Sequence, residues 1–183
     1  MKSAVFSLAV FYILLLGCSD DNNITSPTVQ TQEIVPLSIG NSWTYQYTIY
    51  DTSGGIIYTS IDSFSVIADT VINGKKRFIL STGVMRWNND FGFWIPMSPD
   101  SLLLYKYPAN VGDEYSNGLK VICKDSTFVL PSGTFKCYGY SSPVAIDYVS
   151  PSVGLVREVW YKKSPSGLEY LYKRQELLSF QVN

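Results

Sequence analysis

The chain has 183 residues, 14 basic and 15 acidic side chains, a net charge of −1 and no histidine. Without a basic surplus there is no electrostatic footprint for nucleic acid. Without histidine the usual general base, the commonest zinc ligand and every Ser-His or Cys-His nucleophile pair are excluded.

Lys2 precedes the apolar run Ala4–Leu16, the charged start and apolar centre of a secretory signal. The run is shorter than the ~20 residues a membrane-spanning helix needs. It closes on Leu15-Leu16-Gly17-Cys18, which resembles the lipobox of bacterial lipoproteins. That resemblance implies cleavage before Cys18, acylation there (palmitate among the chains) and attachment to a membrane without crossing it. The alternative is an ordinary signal peptide with an incidental cysteine. The chain then divides into a signal at 1–17, a lipidated Cys18 with a tether at 18–33, and a folded domain at 34–183. Ser19-Asp20-Asp21 is similar to the start of outer-membrane lipoproteins, including surface-displayed ones of some Gram-negative bacteria. The expected location is therefore the outer membrane, on its periplasmic face or at the cell surface. Asp20–Glu33 is polar without an apolar period and reads as a flexible linker.

Beyond it, 14 Tyr, 9 Phe and 4 Trp favour strands over helices. Trp43–Ile49 alternates large apolar with polar residues, the period of a half-buried strand. Ile56–Ile67 continues that composition, with a change of parity near Ser63 that suggests a bulge. Asn73-Gly74 between apolar runs predicts a two-residue hairpin, and Asn88-Asn89-Asp90 a second one. Leu102–Tyr107 follows Ser98-Pro99-Asp100. Leu119–Val129 and Thr134–Tyr140 flank Pro131-Ser132-Gly133, and Leu155–Lys162 and Leu168–Leu178 form a last hairpin. About ten strands at this spacing, and no helical stripe after Cys18, predict an all-β domain. The expected architecture is a single antiparallel sheet, strongly curved or closed into a barrel. A two-sheet β-sandwich is the alternative.

One pattern occurs twice. Pro36-Leu37-Ser38-Ile39-Gly40-Asn41-Ser42-Trp43 matches Pro108-Ala109-Asn110-Val111-Gly112-Asp113-Glu114-Tyr115 as Pro-x-x-[Ile/Val]-Gly-[Asn/Asp]-x-aromatic. Two structurally similar halves of one curved sheet would explain the echo, provided both glycines share a backbone conformation. Chance, or a recurrent turn that leads into a strand, is the other explanation.

Pro36–Tyr45, Ser132-Gly133-Thr134-Phe135-Lys136-Cys137 and Val153-Gly154-Leu155-Val156 together resemble a widespread set of uncharacterised bacterial lipoproteins. Those share a Gly-Asn-x-Trp start, a Gly-Thr-Phe hairpin and a late Gly-Val-Gly-Leu-Val turn. Here Ser152 replaces the first glycine of the last motif. The resemblance implies the fold and the envelope location, and carries no activity with it.

Cys123 and Cys137 remain after lipidation. Pairing Leu130 with Thr134 would place Cys137 opposite Thr127, roughly 13 Å from Cys123 at the usual strand rise, beyond the ~7 Å a disulfide spans. Two buried free thiols are expected, with a bridge through an irregular strand as the alternative. Trp87, Phe91, Phe93, Trp94 and Met97 cluster on one hairpin, as a platform for a sugar ring or lipid chain or simply as core. Trp87, Phe91 and Trp94, with Asn88 and Asn89 as hydrogen-bonding partners, are the candidate ligand-binding residues. Asp113-Glu114 is the only adjacent carboxylate pair in the domain, and adjacent strand residues point apart. A converging pair would have to come from Asp62, Asp69, Asp125, Asp147 and Glu158 at a distance in sequence. No calcium loop, Gly-x-Ser-x-Gly, Ser-x-x-Lys or phosphate-cradling motif occurs. The sequence therefore predicts no enzyme, metal or cofactor. It predicts either a binding module for a small apolar or sugar ligand, or an assembly component of the envelope that acts through a protein partner.

Overall fold

The alternating segments form twelve strands in the computed structural model, which describes residues 32–183. The signal, the lipidation residue Cys18 and the first part of the tether lie outside the described residues. The strands are β1 (Ser42–Tyr50), β2 (Ile56–Ile72), β3 (Lys75–Leu80), β4 (Met85–Asn89), β5 (Gly92–Pro96) and β6 (Ser101–Lys106). They continue with β7 (Glu114–Tyr115), β8 (Leu119–Leu130), β9 (Gly133–Ser141), β10 (Ala145–Ser150), β11 (Gly154–Lys163) and β12 (Glu169–Gln181). A 3-10 turn at Ser116–Gly118 is the only helical element among the described residues. The expected count of ten missed β7, which has two residues, and β10, whose burial pattern does not alternate.

All twelve strands belong to one antiparallel sheet in the order β6-β5-β4-β3-β2-β1-β12-β11-β10-β9-β8-β7. This is the cyclic order of an up-and-down barrel opened between β6 and β7. The sheet is strongly curved and nearly closed, so the single curved sheet is the architecture and the sandwich is not. Register shifts at Thr44/Tyr45, Tyr148/Val149, Trp160/Tyr161, Val121/Cys123 and Cys123/Ser126 supply the bends. In β2 the shift falls between Val66 and Ala68, three residues later than the sequence parity suggested.

The seam between β6 and β7 is bridged by side chains in place of a ladder. Tyr115 Oη donates to the Leu104 carbonyl at 2.9 Å, and Tyr140 Oη to the Lys106 carbonyl at 2.9 Å. Lys106 Nζ lies 2.8 Å from Asp113 Oδ2. That pair, and Glu114 with Lys120 at 2.9 Å, account for both members of the adjacent carboxylate pair.

The two copies of the repeated pattern adopt one conformation. Gly40 and Gly112 both have φ 93°, a value that favours glycine. Gly40 N donates to Val66 O and Val66 N to Asn41 O; Gly112 N donates to Val121 O and Val121 N to Asp113 O. Both valines are fully buried. Each turn thus pins the start of a six-strand half, β1–β6 and β7–β12, onto the strand that follows. Two other sequence motifs meet in space: Trp43 Nε1 donates to Val153 O at 2.6 Å and Tyr45 Oη to Leu155 O at 2.9 Å. Ser152 itself takes a positive φ of 63°, so the late turn keeps the backbone that glycine would give.

Trp43, Tyr45, Val66, Val121, Val149, Val156 and Leu177 form the centre of the core, each worth about 1.5–3 kcal/mol of burial. Cys123 and Cys137 are free thiols. The β8–β9 register is Leu130 with Gly133, one residue from the expected pairing, which places Cys137 opposite Ser126, and the bulges beyond it place Cys123 opposite Gly139. Burial pushes the Cys137 thiol up to about 12, so it is inert packing.

Candidate functional site

The β4–β5 hairpin carries the residues that the sequence singled out. Trp87, Asn88, Asn89 and Phe91 line one open groove of about 580 Å³, with Lys75, Arg77 and Glu33. Trp94 pairs with Trp87 across the hairpin, the rings parallel with centroids 6.4 Å apart. The Arg77 guanidinium sits 3.6 Å from the Trp87 ring, which is only 8% exposed, so little of that ring is left for a ligand. Asn89 Oδ1 accepts from Phe91 N at 2.9 Å and Trp94 Nε1 at 2.8 Å, and Asn88 Nδ2 donates to Val35 O at 2.8 Å. The two asparagines therefore hold the hairpin's own shape. Phe91 alone projects freely, 66% exposed.

The opposite face of the same strands turns inward. Asn88 pairs with Phe93, and Phe93 with Tyr105 on β6, both deep in the core. Behind them lies a cavity of about 350 Å³, lined by Val35, Leu37, Trp43, Tyr45, Phe64, Leu80, Val84, Phe93, Leu104, Tyr105 and Leu155. Arg86 and Thr82 bring the only polar side-chain groups besides the two tyrosine hydroxyls and the Trp43 indole N–H. Arg86 Nη1 donates to the Met85 carbonyl at 2.8 Å, and Arg86 makes no ion pair among the described residues. Desolvation lowers its pKa, the mark of a cation short of compensation. Tyr45 is spoken for by the Leu155 carbonyl.

Leu104 and Tyr105 separate this cavity from a second one of about 270 Å³. Its polar wall follows from strand register. Ser60, Tyr47, Gln175, Glu158, Asp147, Tyr140 and Val121 are successive directly paired residues across seven strands, from β2 to β8. Directly opposed residues share a face, and Tyr47 shares that of Tyr45 and Trp43. Of the scattered carboxylates, the fold thus brings together Asp147 and Glu158, as neighbours on β10 and β11. Asp147 Oδ2 accepts from Tyr105 Oη at 3.0 Å, and Glu158 Oε2 lies 3.0 Å from Lys173 Nζ. Burial first, and then the charge of Glu158, raise the Asp147 carboxyl to about 7. Among the described residues no group of three or more acidic or thiol ligands converges as a metal site would require.

No protein-family model matches this chain, and no curated protein matches it. Among solved structures, the chain is similar to a candidate lipoprotein from Parabacteroides distasonis ATCC 8503, at 15% identity and a TM-score of 0.49. The match covers 83% of this chain and all of that one.

Arg86, Asp147, Glu158 and Trp160 had no motif to announce them. Arg86 sits one residue before a tryptophan in an ordinary strand. Asp147 lies on β10, the strand that the alternation rule passes over, and its carboxylate partner is known only once β10 and β11 are paired.

Proposed function

We propose that this protein is a lipid-anchored component of the bacterial envelope that holds a small, mainly apolar molecule inside its curved sheet. The observation that carries the reading is the 350 Å³ cavity, apolar on nearly all sides, with Arg86 as its one charged group. A mostly apolar cavity with a few convergent polar groups is the usual form of a small-molecule site. A half-buried guanidinium without a carboxylate favours a ligand with an anionic end. The Leu15-Leu16-Gly17-Cys18 sequence supports the anchor, and Ser19-Asp20-Asp21 the outer membrane. The role is one of capture or carriage, without a reaction.

Octanoate is a suitable probe. Isothermal titration of the full chain with octanoate should saturate, and Arg86→Gln should weaken binding about tenfold or more, the scale of one charge-assisted hydrogen bond. Native mass spectrometry of protein taken from a bacterial envelope should release an acidic small molecule on denaturation. A bare mass together with no octanoate binding would defeat the reading.

A second reading, assembly through a protein partner, is favoured by β2. Its first half, up to Ser65, pairs only with β1, and β3 joins from Val66 onward. Ile56, Ile57, Tyr58 and Ile61 are exposed on that half. Pull-down of an envelope protein that Ile57→Lys and Ile61→Lys abolish would favour it over the carrier.

A further inference from the structure

The first half of β2 has an open edge. Ser65 turns both backbone groups toward the β3 side, its carbonyl accepting from Ser81 N at 2.8 Å and its N–H donating to Ser81 Oγ at 3.1 Å. Val66 turns the other way, its carbonyl to Gly40 N and its N–H to Asn41 O. Pairing with β1 runs unshifted over 58–65, so Thr59, Ile61 and Ser63 repeat the direction of Ser65. No strand among the described residues pairs with them there, because β3 joins only from Val66. The register shift at Ile49/Tyr50 makes Ile57 a bulge, which ends the regular edge at Tyr58. Residues 58–64 include no lysine and no proline, the usual guards of a free strand, and Ile61 at their centre is 62% exposed.

This edge complements itself. Antiparallel pairing of two copies about Ile61 sets Ile61 against Ile61, Thr59 against Ser63, Ser60 against Asp62 and Tyr58 against Phe64. Each Asp62 carboxylate then meets a hydroxyl, each exposed isoleucine is covered by its equivalent, and an aromatic pair closes each end. The two Asp62 carboxylates fall on a diagonal about 7–8 Å apart, a weak repulsion in water. Thr59, Ile61 and Ser63 of the two copies exchange about six backbone hydrogen bonds in this register. Resting on the reading of this half of β2 as an assembly surface, we infer that it pairs with the same strand of a second copy, antiparallel about a two-fold axis at Ile61. The paired segment is much shorter than the ~20–30 residues a side of a standard interface, so association is weak in free solution. Anchoring at Cys18 would confine the copies to one membrane and raise their effective concentration.

Disulfide trapping in the full chain, expressed in a bacterial envelope, tests this geometry. The two Ile61 Cα atoms would stand about 5.5 Å apart, within disulfide range. Ile61→Cys should therefore give a covalent dimer under mild oxidation, while the parent, with Cys123 and Cys137, gives none. Thr59→Cys and Ser63→Cys should each stay monomeric alone, their own equivalents lying about 13 Å away along the strand, and should link when co-expressed. Adding Ile61→Asp to that co-expressed pair sets two carboxylates against each other and should cut the yield about fivefold or more. Circular dichroism reports whether each variant is folded. No dimer from folded Ile61→Cys, or Thr59→Cys alone linking as readily as the mixed pair, would overturn the inference. If a different envelope protein is then captured and Ile61→Lys releases it, the assembly reading stands without the second copy. If none is captured, both fall.

Discussion

Asp147 couples the interior of the sheet to pH. Tyr105 on β6, Tyr140 on β9, Glu158 on β11 and Lys173 on β12 face it, and burial with the Glu158 charge raises its carboxyl to about 7 from 3.8. The folded chain therefore holds a proton that the unfolded chain releases between those two values. This contribution to stability is present below about pH 4 and is lost as pH rises through 7. Asp147→Asn keeps an acceptor for Tyr105 and removes the titration. Urea unfolding should find the variant about 1–3 kcal/mol more stable than the parent at pH 8, with the advantage largely gone at pH 4. Parallel stability curves across that range would show that Asp147 is hydrated and ordinary.

At the scale of single elements, backbone geometry decides which positions tolerate change. Gly92 opens β5 with φ 129°, and a Cβ there would lie 2.0 Å from the Tyr105 carbonyl oxygen and 2.8 Å from Tyr107 N. Gly92→Ala must push β6 away, and a loss of about 3 kcal/mol or more is expected. Gly112 has φ 93° and open space around it, so Gly112→Ala should cost only about 1 kcal/mol of backbone strain. Thermal unfolding would rank the two, and the reverse order would refute the steric argument. Elements set by local chemistry were legible in the sequence. Asn73 and Gly74 adopt φ of 51° and 71°, as their hairpin requires, and the repeated Gly-Asn and Gly-Asp turns match. Register was less legible. Pairing Leu130 with Gly133 instead of Thr134 moved Cys137 from Thr127 to Ser126, and two bulges farther along β8 set Cys123 opposite Gly139, a displacement that no local residue signals. The interior sites were illegible for the same reason, because Asp147, Glu158 and Trp160 become neighbours only through pairing. Trp87 and Trp94 showed the converse, since aromatic clustering marked a well-packed hairpin face and said nothing of which side a ligand would use.

For the whole molecule the weak point is the seam. Between β6 and β7 no ladder runs, and Tyr115, Tyr140 and Lys106 bridge the two edges. Tyr115→Phe removes one bridge, leaves the Leu104 carbonyl without that donor, and should cost about 0.5–1.5 kcal/mol. Amide exchange should accelerate in 101–106 and 114–120 more than in β1 or β12. Uniform acceleration across the sheet would mean that the seam does not open by itself. The pairing of β1 with β12 at the middle of the sheet carries a consequence for how the chain folds. Ten of the eleven ladders join strands that are neighbours in sequence, each closing a short loop at little entropic cost. Only Ser42 with Gln181 and the pairs that follow must bring together residues from opposite ends of the domain. The two meanders, each begun by its own docked turn, are free to assemble separately. The slow, non-local step is then their union along β1, which waits on the last strand made.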